Sequence, residues 1–312
     1  MNQNRTENDN KDLSGYHTPV LLNEVLDGLN IRPGGIYVDC TFGGGGHAKA
    51  ILEKLNNNGR LIVFDQDEDA RKNVLVDDRF TLIPHNFRYL KRFLQLQNVI
   101  EVDGILADLG VSSHQFDEGN RGFSTRFNAD LDMRMDRRQT KKASDVVETY
   151  SEQQLHKLFE VYGEVTNAKT LARTIVEVRE TTSLKTIDAF KSALYPIVKG
   201  NPNKYFAQVF QALRIEVNDE LEALKELLQQ IPQLLKTGGR AAIITFHSLE
   251  DRLVKTFFRQ GTFEVQHENP FENHKQSNPM KAIYKKPIVA KEEERKQNPR
   301  SRSAKLRVAE KL

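Results

Sequence analysis

The chain has a single cysteine, Cys40, in 312 residues. One thiol excludes an internal disulfide and suits a reducing cytoplasm. No Cys/His cluster has metal-ligand spacing, so no metal is expected. Long apolar runs are missing too. The longest, residues 241–246, is far short of the roughly 20 residues that cross a bilayer. Residues 1–12 are polar, lack the apolar core of a signal peptide, and read as a disordered tail. No internal repeat is present. Net charge is only +3, with 38% hydrophobic and 29% charged residues. These values fit a soluble globular protein of one large or two moderate domains.

The little excess charge is unevenly spread. Residues 285–312 hold ten Lys/Arg and four acids, a balance of +6. Residues 121–142 hold seven Lys/Arg and three acids, a balance of +4. Two basic segments on a slightly acidic body point to a polyanion partner at a defined face.

What the chain does have is glycine concentrated in one place. Tyr37-Val38-Asp39-Cys40-Thr41-Phe42 is followed by Gly43-Gly44-Gly45-Gly46, then His47-Ala48 and a helical pattern with Ile51, Leu52 and Leu55. Strand, glycine turn, helix is how a parallel α/β sheet holds a nucleotide-like cofactor. Glycine lets the backbone approach a ligand, and the helix start offers unpaired N–H groups. Gly43-x-Gly45-x-x-Ala48 fits the dinucleotide fingerprint. Asp39 favours another ligand. A carboxylate beneath a pyrophosphate is unwelcome, whereas S-adenosylmethionine carries an ammonium and a sulfonium.

Strand patterns recur at 36–42, 60–65, 80–84 and 104–109, with helices between them. From 115 to 218 the alternation stops. Ser151-x-x-Gln154 is a capping box before Leu155, Leu158, Phe159 and Tyr162. Asn167 and Thr186 can cap two more helices, and 205–215 reads as another. The stripe Leu221, Leu224, Leu228, Ile231, Leu235 marks a helix that Gly238-Gly239 ends. Residues 240–247 read as a buried strand, 249–258 as a helix, and 263–266 with 305–308 as a closing antiparallel pair. Segments 267–280 and 291–303 are polar and read as mobile.

Ligands of open α/β sheets bind beyond the carboxyl ends of the strands. Asp65 stands there, 22 residues after Gly43, at a spacing that suits a carboxylate gripping ribose hydroxyls. Phe87 either stacks on an adenine or belongs to the core. Asp108 ends the fourth strand, where a reactive methyl would lie. His247 ends the fifth, beside the same pocket or as a structural side chain.

At these residues the chain resembles bacterial small-subunit ribosomal RNA cytosine-N4 methyltransferases of the MraW type. The resemblance rests on His17-Thr-Pro-Val-Leu-Leu, Asp39-x-Thr-Phe-Gly-x-Gly-Gly-His47 and Asp103-Gly-Ile-Leu-x-Asp-Leu-Gly-Val-Ser-Ser113. It continues through Arg121-Gly-Phe-Ser124, Leu131-Asp-Met-Arg-Met-Asp136 and Phe210-Gln-Ala-Leu-Arg-Ile-Glu-Val-Asn-Asp-Glu220. Phe246-His-Ser-Leu-Glu-Asp-Arg252 and Asn298-Pro-Arg-Ser-Arg-Ser-Ala-Lys-Leu-Arg307 complete it. Where many members have Asp-Gly-Pro, this chain has Asn128-Ala129-Asp130, which changes a turn.

The resemblance implies an α/β fold, a Rossmann-like seven-stranded methyltransferase sheet with an inserted all-helical domain. Residues 13–114 and 219–312 would form the discontinuous S-adenosylmethionine domain, and 115–218 the substrate-recognition insertion. The implied cofactor is S-adenosyl-L-methionine, held by Gly45, Gly46, His47, Asp65, Phe87, Asp108 and Gln115. The implied partner is 16S ribosomal RNA within the 30S subunit, in the cytoplasm. Asp108 and His247 are the catalytic candidates. Basic residues of 131–136 and 300–307 would hold phosphates, with Arg300 and Arg302 on one side of an extended chain. A nicotinamide oxidoreductase and a non-catalytic ribosome-assembly factor are the alternatives.

Overall fold

The computed structural model describes residues 19–263 and 278–312. The tail at 1–12, the start of the His17 motif, and 264–277 lie outside them. Among the described residues seven strands are present: β1 (Ile36–Asp39), β2 (Arg60–Phe64), β3 (Phe80–Ile83), β4 (Val102–Asp108), β5 (Leu235–Thr245), β6 (Met280–Ala282) and β7 (Lys305–Lys311). They form one sheet in the order β3-β2-β1-β4-β5-β7-β6. β1 to β5 run parallel, and β7 is antiparallel to both β5 and β6.

The helices named in chain order are α1 (Leu22–Leu29), α2 (Gly46–Lys54), α3 (Leu90–Leu96), α4 (Ser113–Asp117), α5 (Ala143–Thr149) and α6 (Glu152–Val161). They continue with α7 (Ala168–Arg179), α8 (Ile187–Leu194), α9 (Pro202–Asn218), α10 (Glu220–Leu234), α11 (Ser248–Gln260) and α12 (Glu292–Gln297). Successive strand residues point to opposite faces, and the core divides accordingly. Ile62, Phe64, Ile105 and Ile243 pack with apolar residues of α3, α10 and α11. Leu61, Val63, Leu106 and Ile244 pack with those of α1 and α2 on the other face. Both faces are covered, as a parallel sheet requires. Helices α5 to α9 enclose a separate cluster, with Leu155, Phe159, Leu171, Ile175, Phe190 and Val209 among its buried members.

Local signals explain most boundaries. Ser151 and Gln154 cap each other, and the Thr186 hydroxyl accepts from Ala189 N. Asn167 stands at the N-cap of α7 but makes no cap bond; its amide donates to the Ile197 carbonyl at 2.9 Å. A tertiary partner won over the local one.

Four expectations are corrected. Gly238-Gly239 do not end a helix. α10 stops at Leu234, just after Pro232, which has no N–H to give the helix. The glycines sit inside β5, where pairing jumps from Val102–Leu235 to Gly104–Arg240 and Gly238 takes φ +76°. They serve a bulge, and glycine alone accepts that φ cheaply. Second, the partner of β7 at the sheet edge is β6; Phe263 lies in a bend, and 264–266 fall outside the described residues. Third, 291–303 is ordered: α12 leads into a 3-10 turn at Pro299–Ser303 whose Ser301 is buried. Glu294 there accepts from Leu21 N at 2.8 Å, satisfying a backbone donor at the start of α1. Fourth, Arg300 and Arg302 lie in that turn, not in an extended chain. Lys305 and Arg307 do share a side, and both pair with Asp251, while Leu306 and Val308 are buried opposite.

Candidate active site

β1 pairs with β2 on one side and β4 on the other, so the chain direction of the crossovers reverses there. Such a switch point leaves a crevice at the strand ends. A cavity of about 460 Å³ opens there, lined by the glycine turn, Asp65, Phe87, Asp108, Gln115 and Arg300 among others.

The glycine turn is built by close approach. Gly43 and Gly45 have φ +50° and +77°. A Cβ on Gly46 would stand 2.3 Å from the Pro19 ring, and one on Gly45 would stand 3.0 Å from the Phe42 ring. A Cβ on Gly44 would meet nothing within 4 Å. Gly43, Gly44 and Gly46 line the cavity, and Gly45 instead packs against Phe42. The turn is clamped by Asp65, whose two oxygens accept from Gly43 N at 2.7 Å and Asp67 N at 2.8 Å.

Acidic groups gather at the strand ends. Asp39 is buried under the turn, outside the cavity wall, with Oδ1 accepting from Thr41 N at 3.0 Å. Asp108 lies on the wall, and Thr41 Oγ1 accepts its N–H at 2.6 Å. His47 Nδ1 stands 3.8 Å from Asp108 Oδ2, while Nε2 is 3.0 Å from the Val20 carbonyl. A carbonyl only accepts, so Nε2 carries the proton and Nδ1 faces the acid. Burial lowers the His47 pKa against the pull of Asp39. Burial pushes the carboxyls of Asp39 and Asp65 up to about 6 and that of Asp108 up to about 7. Among the described residues, Asp39 Oδ2 and Asp108 Oδ1 are buried without a hydrogen-bond partner. Arg300 donates to the Val111 carbonyl, lies over the Phe246 ring and acts electrostatically on Asp108. Cys40 also reaches the wall, but burial raises its pKa well above the ordinary thiol value and keeps it protonated.

A family model described as the MraW methylase family matches residues 14–312. The chain belongs to the MraW methylase family. A ribosomal RNA small subunit methyltransferase H from Azobacteroides pseudotrichonymphae is 56% identical over 298 residues, 95% of this chain and 98% of that one. One from Flavobacterium johnsoniae is 55% identical over the same shares. Among solved structures, an rRNA methylase from Streptococcus thermophilus matches 93% of each chain at 13% identity and a TM-score of 0.39, too loose a likeness to carry an argument.

A methylase of this family takes its methyl group from S-adenosylmethionine. The residues fit a cationic donor. Asp108 Oδ1, on the wall, lacks a partner, and burial raises the carboxyls of Asp108 and Asp65 there, which a bound cation would offset; Asp39 lies behind them. Of the residues expected from the sequence, Gly46, His47, Asp65, Phe87, Asp108 and Gln115 meet at this methylase's cavity. Gln115 is held in place there: it shares a capping box with Ser112 and donates to Asp67 at 2.6 Å. Gly45 and His247 are not on the wall. His247 caps α11, with Nε2 3.2 Å from Glu250 Oε1, and Glu250 is the member of that pair that lines the cavity.

Glu250 and Gly44 were not expected at the site, and Arg300 was expected on phosphates, not on the cavity wall. Glu250 had a signal, since His247 and Glu250 stand at capping-box spacing. Arg300 belongs to the Asn298–Arg307 motif, but nothing local in that motif sends it to the cavity. The basic stretch 121–142 also differs from its sequence appearance. Arg121 is buried and pairs with Asp67 and Asp69 at 2.9 Å, Arg134 pairs with Asp132 at 2.7 Å, and Arg138 with Asp136 at 2.8 Å. Much of that charge is spent inside the protein.

Proposed function

We propose that this methylase transfers a methyl group to N4 of a cytidine in 16S ribosomal RNA, at the decoding centre of the small subunit, in the cytoplasm. The observation that carries the reading is Asp108: a strand-end carboxyl on the cavity wall with one oxygen unpartnered. Support comes from relatives named for small-subunit ribosomal RNA that this chain matches over nearly its whole length.

S-adenosylmethionine supplies a methyl group made electrophilic by a sulfonium. The chain's own residues hold and orient. Asp65 takes the ribose hydroxyls, Phe87 the adenine face, and Gly45, Gly46, His47 and Gln115 form and border the turn at the donor's remaining polar groups. The N4 lone pair of cytosine is delocalised into the ring. An acceptor on N4–H localises it, and Asp108 is that acceptor. The methyl–sulfur bond would break as the N–C bond forms, leaving a neutral thioether and the positive charge on N4, which then gives up a proton; a carboxyl with a pKa raised to about 7 is basic enough to receive it. His247 acts through Glu250, whose carboxylate it helps keep ionised. Positioning and exclusion of water do most of the work. Residues 13–114 and 219–312 carry the donor, and the insertion at 115–218 grips the RNA.

The test is turnover of labelled S-adenosylmethionine with 30S subunits lacking the modification, followed by nucleoside analysis. Labelled N4-methylcytidine is expected. Label on another nucleoside, or particle binding without turnover, would overturn the reading.

A further inference from the structure

Next to Asp117 of the cavity wall, three side chains form a cation–aromatic cluster with no part in the chemistry above. The Arg126 guanidinium lies 4.8 Å from the centre of the Phe116 ring and 5.9 Å from that of Phe127. Phe127 is 42% exposed, and the Arg126 side chain 59%. Two phenyl rings and a planar cation held together at the surface are a costly arrangement for mere solvation. The group is also seated. Phe127 packs over Gly119, where a Cβ would come within 3.0 Å of the ring. Arg126 reaches Asp117 at 3.5 Å, and Asp117 lines the cavity and acts electrostatically on Arg300, which faces Asp108. Through Asp117 the cluster adjoins the wall that would receive the target base.

Aromatic and guanidinium faces stack on any nucleobase, and the cation complements neighbouring phosphates. A base that leaves its stack to enter a pocket strips its neighbours of a partner. We propose that Phe116, Arg126 and Phe127 form a stacking platform for the RNA nucleobase adjoining the target cytidine. This rests on the RNA reading above.

Steady-state turnover with unmodified 30S subunits tests it, using Phe127→Leu, Phe127→Tyr, Arg126→Ala and Arg126→Lys. Leucine keeps apolar packing over Gly119 but has no flat face, and lysine keeps the charge without the plane. Phe127→Leu, Arg126→Ala and Arg126→Lys are expected to raise KM for the particle about tenfold, the scale of one lost stacking contact. Phe127→Tyr is expected to restore it. Turnover number and S-adenosylhomocysteine affinity stay at wild-type values throughout. A wild-type KM in Phe127→Leu or in Arg126→Lys overturns the platform while leaving the functional reading intact. Failure of the unaltered protein to methylate any RNA overturns both.

Discussion

Cofactor affinity is expected to rise with pH, and Asp108 is the reason. Its carboxyl is pushed up to about 7 by burial, which Arg300 opposes and Glu250 reinforces. On the proposed assignment the cationic donor binds the ionised form. A group titrating near 7 that must ionise first costs affinity below that value. Between about pH 5.5 and 7.5 the expected gain is ~25-fold, or ~1.9 kcal/mol. Asp39 and Asp65, raised to about 6, add at the acid end. In Asp108→Asn the steep part vanishes and a shallower acid limb remains. Titration calorimetry with S-adenosylmethionine across that range, on both proteins, reads the difference. Stability of the ligand-free protein moves the other way. These carboxyls have folded pKa values above their unfolded ones, so the folded state holds the proton more tightly. Their contribution to stability is present below about pH 4 and is lost as pH rises through about 7. A wild-type affinity that is flat with pH, or an Asp108→Asn slope equal to wild type, would refute the assignment.

Other substitutions probe separate parts. Asp65→Ala removes the proposed ribose contact and strands the N–H groups of Gly43 and Asp67, each at a cost of ~1–3 kcal/mol; calorimetry with S-adenosylhomocysteine should find weak binding, and unchanged affinity would take Asp65 out of the site. Gly46→Ala drives a Cβ into Pro19 and should lose ~1–3 kcal/mol in urea unfolding, whereas Gly44→Ala should fold normally and only weaken the cofactor; equal stability of the two would contradict the packing argument. Arg121→Ala leaves Asp67 and Asp69 without their buried partner and should cost ~3–5 kcal/mol; a melting temperature near wild type would show that the network does not hold the insertion to the sheet. Arg300→Ala should impair turnover at the cavity, while Arg302→Ala, on the exposed side of the same turn, should lower only particle affinity with a flatter salt dependence; matching effects would mean the turn acts as one surface.

The parallel core of the sheet was legible because its signals are local, whereas the edge strand β6 was not. β-branched runs ending in Asp39, Asp65 and Asp108, with a glycine turn after the first, state both the strands and their carboxyl ends. The capping pair Ser151–Gln154 and the cap Thr186 placed their helices for the same reason: donor and acceptor are three residues apart. Caps and helical periodicity also placed helices, and no strand, between β4 and β5. Side-chain destinations were a different matter. Asn167 chose the Ile197 carbonyl over its own helix, and Gly238-Gly239 served a bulge whose need arises only when β5 meets β4. The charge of 121–142 read as a face for polyanions, yet Arg121 is buried against acids more than 50 positions earlier. Arg300 reached the cavity from the far end of the chain, 189 residues from the carbonyl it binds. What neighbouring residues decide, the sequence determined alone: strands, caps, the glycine turn and the acids beyond it. What depends on distant segments meeting was decided only by the tertiary structure, because burial and pairing with remote partners set which charges face the ligand, which are neutralised inside, and how far each pKa moves.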